Sequence, residues 1–157
     1  MKQLVIMRGL PGSGKSTEAR ALAERHVSTG GQTVAICSTD SFFIKDDGQY
    51  VFDASKLGKN HGMNQYKANR FMFMGTELVI VDNTNTTRKE MAPYKQSAKD
   101  NGYDVREVLV GKESLFPADL EECCPHKYTD YIDMCVQRNT HGVPKEAIER
   151  MARRFEQ

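Results

Sequence analysis

Short apolar runs and helical periodicities alternate along the chain. Leu4 to Met7 and Leu78 to Val81 are continuously apolar, as expected of strands buried on both faces of a parallel sheet. Thr33 to Cys37, and Val105 with Val108, Leu109 and Val110, read as two further strands. Between them, apolar residues recur every three or four positions. Ala19, Leu22, Ala23 and Val27 form one helical stripe, ended by Gly30-Gly31, and Leu57, His61, Asn64, Ala68 and Phe71 form a second within Ala54 to Met74. Met91, Tyr94 and Ala98 form a third, closed by Asn101-Gly102. Leu120 to Gln137 reads as one or two short helices around Pro125, and Ala147, Ile148, Met151, Ala152 and Phe155 form an amphipathic helix after Pro144. Strand alternating with helix predicts an α/β fold: a parallel sheet flanked by helices on both faces. We expect one domain over residues 1–157, with a C-terminal helical lid over about 125–157.

The first strand runs into Gly9 to Thr17, GLPGSGKST, which satisfies G-x-x-x-x-G-K-[ST] in the strand-to-helix context that motif needs. Gly12 and Gly14 can adopt backbone angles closed to other residues, so successive N–H groups, with that of Ser13, can surround phosphate oxygens at the positive end of the next helix. Lys15 is expected to reach the outer phosphates and Thr17 the inner ones. Ser16 is expected to ligate a Mg²⁺ shared with ATP.

Ligands of such sheets bind outside the carboxyl ends of the strands, so residues there are candidates for chemistry. Asp40 follows the second strand, where it can accept a proton from an attacking hydroxyl or hold a metal through water. Asp82 ends the third strand and resembles the acidic residue that orients Mg²⁺. Asn83, Thr84 and Asn85, in a run of six small polar residues from Asp82 to Thr87, offer more hydrogen bonds than a connection requires. His61 and Asn64 lie on the apolar stripe of their helix, either as satisfied core groups or facing a substrate. Lys45 to Asp53 reads as a loop or hairpin near the site, where Tyr50 can stack on a base but is expected, with Phe52, to pack on the neighbouring helix. Arg138 sits at a helix-to-turn junction, from which it can stabilise a transferred phosphoryl group. Arg150, Arg153 and Arg154 read as a solvated basic face.

Composition narrows the partners. The 157 residues include 22 basic and 21 acidic ones, so no overall field recruits nucleic acid, although a local groove can. No apolar run is long enough for a signal h-region or a membrane span, which predicts a soluble, cytoplasmic protein. Cys37, Cys123, Cys124 and Cys135 lack CxxC spacing, and Cys37 lies in a strand pattern, which suits a reducing compartment. Ordinary packing is expected for Cys124, His126 and Cys135 rather than a zinc site.

RGLPGSGKST, STDSFF with GQYVFD, HGMNQ, VIVDNTNTT with EMAPY, and RNTHGVP with RMARRFE together resemble the small P-loop kinases of the polynucleotide-kinase type, and are most similar to the kinase-like domain of the Nedd4-binding protein family. The resemblance spans most of the chain. It implies phosphorylation of a polynucleotide 5′-hydroxyl by ATP and Mg²⁺. It also implies a general base at Asp40, an acceptor contact at Thr84 and a lid arginine at Arg138. The bacteriophage end-repair member of the family has an acceptor-phosphate arginine three residues after the base, where this chain has Phe43. For that member's second lid arginine this chain offers His141 or a residue of the last helix. The alternatives are a kinase for a nucleoside, nucleotide or modified base, and a non-catalytic ATP-dependent binding module.

Overall fold

The computed structural model describes residues 1–111 and 116–157. Among these residues, four strands, β1 (Gln3–Arg8), β2 (Val34–Cys37), β3 (Leu78–Asp82) and β4 (Asp104–Leu109), form one parallel sheet in the order β2-β3-β1-β4. Met7 stands opposite Asp82, and Cys37 opposite Val81, so the carboxyl ends of β1, β2 and β3 open onto a common edge.

Among the described residues, six helices flank the sheet: α1 (Lys15–Ser28), α2 (Leu57–Phe73), α3 (Arg88–Asn101), α4 (Pro117–Cys123), α5 (Pro125–Arg138) and α6 (Lys145–Arg153). Successive side chains of a strand point to opposite faces, and β1 shows this directly. Leu4 and Ile6 pack with Ala68 and Met72 of α2 and Met91, Tyr94 and Ala98 of α3. Val5 and Met7 pack on the other face with Ala19, Leu22 and Ala23 of α1. Both faces of the central strands are therefore covered, as their unbroken apolar runs require.

The helix ends follow local chemistry. The Thr87 hydroxyl caps α3 by accepting from the Glu90 N–H, and Gly102, at φ 73°, closes its other end. Pro125 opens α5, so the predicted break at that residue separates α4 from α5. A separate cluster joins α4, α5 and α6 through Leu120, Ile132, Cys135, Ile148 and Phe155, and Leu10 of the phosphate loop is buried in it. The C-terminal helices thus rest on the loop itself. Among the described residues, no helix is long and apolar enough to cross a membrane.

Candidate active site

Gly12 and Gly14 take φ values of 79° and 101°, a region that disfavours side chains, and Gly14 starts α1. Gly12 has a second constraint, because a Cβ there would collide with the Cys135 carbonyl oxygen of α5. The Lys15 ammonium donates to the Leu10 carbonyl at 3.2 Å. Burial pushes its pKa down, against the opposing charges of Asp82 and Asp40. A partly buried ammonium that feels two carboxylates is suited to anionic phosphates.

Ser16 Oγ donates to Asp82 Oδ2 at 2.7 Å. Asp82 is 7% exposed, and its Oδ1 has no hydrogen-bond partner although buried. An orphaned carboxylate oxygen beside a hydroxyl is what a hard cation coordinates directly or through water, so the donor set fits Mg²⁺. No group of three or more His, Cys, Asp or Glu that could hold a metal occurs among the described residues. A cation at Ser16 and Asp82 would therefore complete its shell with phosphate and water.

Asp40 lies in a short 3-10 helix, Thr39–Phe43, at the carboxyl end of β2. The Tyr50 hydroxyl donates to its Oδ1 at 3.2 Å, and His141 Nδ1 lies 3.3 Å from its Oδ2. The Tyr50 and His141 rings stack at 4.3 Å and 23°. The Tyr50 hydroxyl pKa is raised by burial and by the adjacent Asp40 charge, which keeps it a donor. Asp40 is still 46% exposed in its side chain, so a hydroxyl can reach it. His141 is itself set by Asn139, whose Oδ1 accepts from the His141 N–H at 2.9 Å.

Asn83 holds the 3-10 helix against β3, since its Oδ1 accepts from the Thr39 N–H at 2.9 Å. His61 is exposed at the same rim and contacts Thr39 Oγ1 through Nδ1 at 3.1 Å. Thr84 is half-buried, and its carbonyl receives the Gly9 N–H at 3.1 Å, joining the polar loop to the phosphate loop. Arg138 is exposed at the end of α5. Burial raises the Cys135 thiol pKa to about 11, with Lys15 and Arg138 acting against it, so both cations lie near this thiol.

Two of the residues expected on the acceptor side are buried in the structure. Asn64 is fully buried, donating to the Tyr94 hydroxyl at 2.9 Å, so it ties α2 to α3. Asn85 is 2% exposed and donates to the Met7 carbonyl at 2.7 Å, and its φ of 46° shows that it makes the turn. Neither has surface to offer a substrate. Arg154 also departs from a purely solvated face, because its Nε donates to Thr86 Oγ1 at 3.1 Å. Phe43, at the position of the family's acceptor-phosphate arginine, is buried at 4% exposure against Phe52, with ring centroids 5.2 Å apart. The part that sequence reasoning missed is the pairing of Tyr50 and His141 on Asp40. The sequence offers His141 as a substitute for an arginine, and Tyr50 as packing or as a ring to stack a base, and neither reading reaches this pairing.

The AAA domain family model matches residues 4–123, more than half of the chain. Human NEDD4-binding protein 2 is 36% identical over 153 residues, a match that covers 98% of this chain and 8% of that protein. The chain thus spans a small fraction of that relative. Among solved structures, the Pnkp1/Rnl/Hen1 RNA repair complex superposes with a TM-score of 0.67 at 17% identity, covering 98% of this chain and 44% of the other. Chaetomium thermophilum Kti12 in complex with ADP-AlF3 superposes at 0.66 with 20% identity, covering 98% and 80%. The two superpositions show that the fold is shared with those proteins, and the family match over residues 4–123 places the chain in the AAA domain family.

Proposed function

We propose that this chain transfers the γ-phosphoryl group of ATP to the 5′-hydroxyl of a polynucleotide, DNA or RNA. The observation that carries the reading is Asp40, an accessible carboxylate oriented by Tyr50 and His141 on the same edge as Lys15 and Asp82. A protein that only bound nucleotide would need no such group.

ATP phosphates would lie in the N–H cradle of Gly12 to Thr17, where the start of α1 favours negative charge. Ser16 and Asp82 would hold Mg²⁺, which when bound neutralises charge on the phosphate oxygens. Lys15 would leave the Leu10 carbonyl for the outer phosphates. Asp40 would accept the proton of the attacking hydroxyl as the new O–P bond forms and the bond to ADP breaks. Arg138 would stabilise the charge spread over the transferred group from the lid, α5 and α6, over the loop. His61, Asn83 and Thr84 line the acceptor side of this arrangement, and residues 1–157 act as one domain.

A second reading, a kinase for a small hydroxyl acceptor, draws on Phe43. A buried aromatic there grips no acceptor phosphate, which a nucleoside or a modified base would not need.

The test is transfer of labelled γ-phosphate from ATP and Mg²⁺ to 5′-hydroxyl oligonucleotides of DNA and RNA. Labelling that Asp40→Asn and Lys15→Ala both abolish is the expected result. If ATP binds but only nucleosides or nucleotides become labelled, the second reading replaces the first.

A further inference from the structure

From Ala54 to Thr76 the chain has no Asp or Glu but carries Lys56, Lys59, Lys67 and Arg70. In a protein whose acids and bases nearly cancel, that asymmetry is local to α2 and the turn before it. Lys59, Met63, Lys67 and Arg70 follow one another at steps of four, four and three, which puts them on one face of the helix. Lys56 is partly neutralised by Asp53 at 3.9 Å. Among the described residues, Lys59 and Arg70 have no ion-pair partner, and both are exposed.

This face adjoins the acceptor side of the candidate site. The Asn64 side chain reaches the Cys37 carbonyl at the end of β2, and Lys67 acts electrostatically on the Cys37 thiol, so the middle of α2 lies beside the carboxyl end of that strand. Lys67 Nζ also stands 5.9 Å from the ring centroid of Phe42, which follows Asp40 by two residues in the 3-10 helix. Phe42 is partly exposed and is not in the buried set that seals Phe43. Asp40, an accessible aromatic ring and a line of cations thus occur in succession. The loop that follows the 3-10 helix bears Asp46 and Asp47, whose charges would repel a strand.

We propose that the Lys59, Lys67 and Arg70 face of α2, with Phe42 as a stacking platform, is a track for single-stranded nucleic acid. It would hold the nucleotides that follow the acceptor end. The inference rests on the polynucleotide reading above and locates the grip that Phe43 does not supply. Cations would take backbone phosphates without sequence preference, and the ring would stack a base.

The test measures binding apart from chemistry, using fluorescence anisotropy of a 3′-labelled 5′-hydroxyl dT12 strand across a salt series. For Lys59→Ala/Arg70→Ala the slope of log affinity against log salt should become shallower by about 1.4, the loss of two phosphate contacts on a single strand. Lys99→Ala, on the exposed end of α3, should leave the slope as it is. Phe42→Ala should weaken binding by about tenfold with the slope retained, because stacking is not ionic. Among the described residues, Lys59 and Arg70 have no ion-pair partner whose loss would unfold the protein, and unchanged melting temperatures would verify that. An unchanged slope and affinity in the double variant overturns the track, as does a wild-type protein that labels a nucleoside 3′-monophosphate yet shows no strand binding. Conversely, binding that the variants weaken as expected, without labelling of any acceptor, upholds the track and removes the kinase reading alone.

Discussion

His141 Nδ1 lies 3.3 Å from Asp40 Oδ2, which joins the turn after α5 to the 3-10 helix after β2. With side-chain exposures of 35% and 46%, this pair contributes little to stability, and its effect is on the orientation of the carboxylate. His141→Ala should therefore slow phosphoryl transfer by about tenfold, or about 1.4 kcal/mol of barrier, and leave melting within about 2 °C of wild type. Single-turnover labelling and a thermal melt read the two effects separately. A melting loss with an unchanged rate would assign His141 to structure.

Tyr50 contributes both a hydroxyl and a ring to the same carboxylate. Tyr50→Phe keeps the stack on His141 and the edge contact with Phe43, and removes only the donor to Asp40. A half-exposed hydrogen bond to a charged group suggests a loss of about three- to tenfold in rate. Because burial and Asp40 hold the hydroxyl protonated beyond the ordinary tyrosine range, the wild-type rate should show no decline through pH 10 that Tyr50→Phe abolishes. A decline unique to wild type would contradict that assignment.

Asp82 and Ser16 make a claim about the metal that binding alone can test. With Asp82 Oδ1 buried and unpaired, Mg²⁺ should add to the thermal stabilisation that ATP confers, and EDTA should remove the addition. Asp82→Asn should erase the difference between Mg-ATP and ATP with EDTA, and lower transfer on the order of 100-fold. A difference that persists in the variant would put the metal elsewhere.

The phosphate loop and the four strands were legible because each is a local pattern: a motif between an apolar run and a helical period, or a run that can only be buried. Asp40 and Asp82 were legible because strand ends in such sheets meet on one edge. The Asp40 to His141 contact was not, since it depends on how α5 crosses Gly12, and no local pattern states which turn then faces which carboxylate. Where Asn64 and Asn85 point was illegible for the opposite reason. Polar residues near a crevice look available, yet a buried backbone carbonyl at Met7 and a buried Tyr94 hydroxyl had first claim on them.

Two buried thiols predict alkaline behaviour. Burial pushes Cys37 and Cys135 from 9.0 up to about 11. As pH rises above about 9, the unfolded chain loses these protons while the folded protein keeps them, so folding stability falls, by up to about 1.4 kcal/mol per pH unit for each thiol, until about pH 11. Denaturant titrations at pH 8.5 and 10.5 should show this fall, and Cys37→Ala should flatten it despite its own destabilisation. Equal slopes in variant and wild type would exclude the thiol as the source.

Arg8 ends β1 immediately before the phosphate loop and is 2% exposed. Its guanidinium donates to the carbonyls of Asn85, at 2.9 Å, Thr86 and Glu156, pairs with Glu107 at 3.1 Å, and lies 5.7 and 5.1 Å from the rings of Phe116 and Phe155. One planar fork therefore ties the loop after β3, the edge strand β4 and the segment after α6 to the strand that presents the phosphate loop. Lysine cannot reproduce that set, because it offers a single point of charge. Arg8→Met leaves three carbonyls without this donor and Glu107 without one cation, so it should cost about 3 kcal/mol, lowering melting by about 6–12 °C in a chain of this size. Arg8→Lys should recover less than half of that loss. The Asn85 turn and the start of the phosphate loop depend on the same anchor, so nucleotide affinity should fall in both variants even well below their melting temperatures. Full recovery of stability by lysine would show that charge alone suffices and that the fork geometry is immaterial.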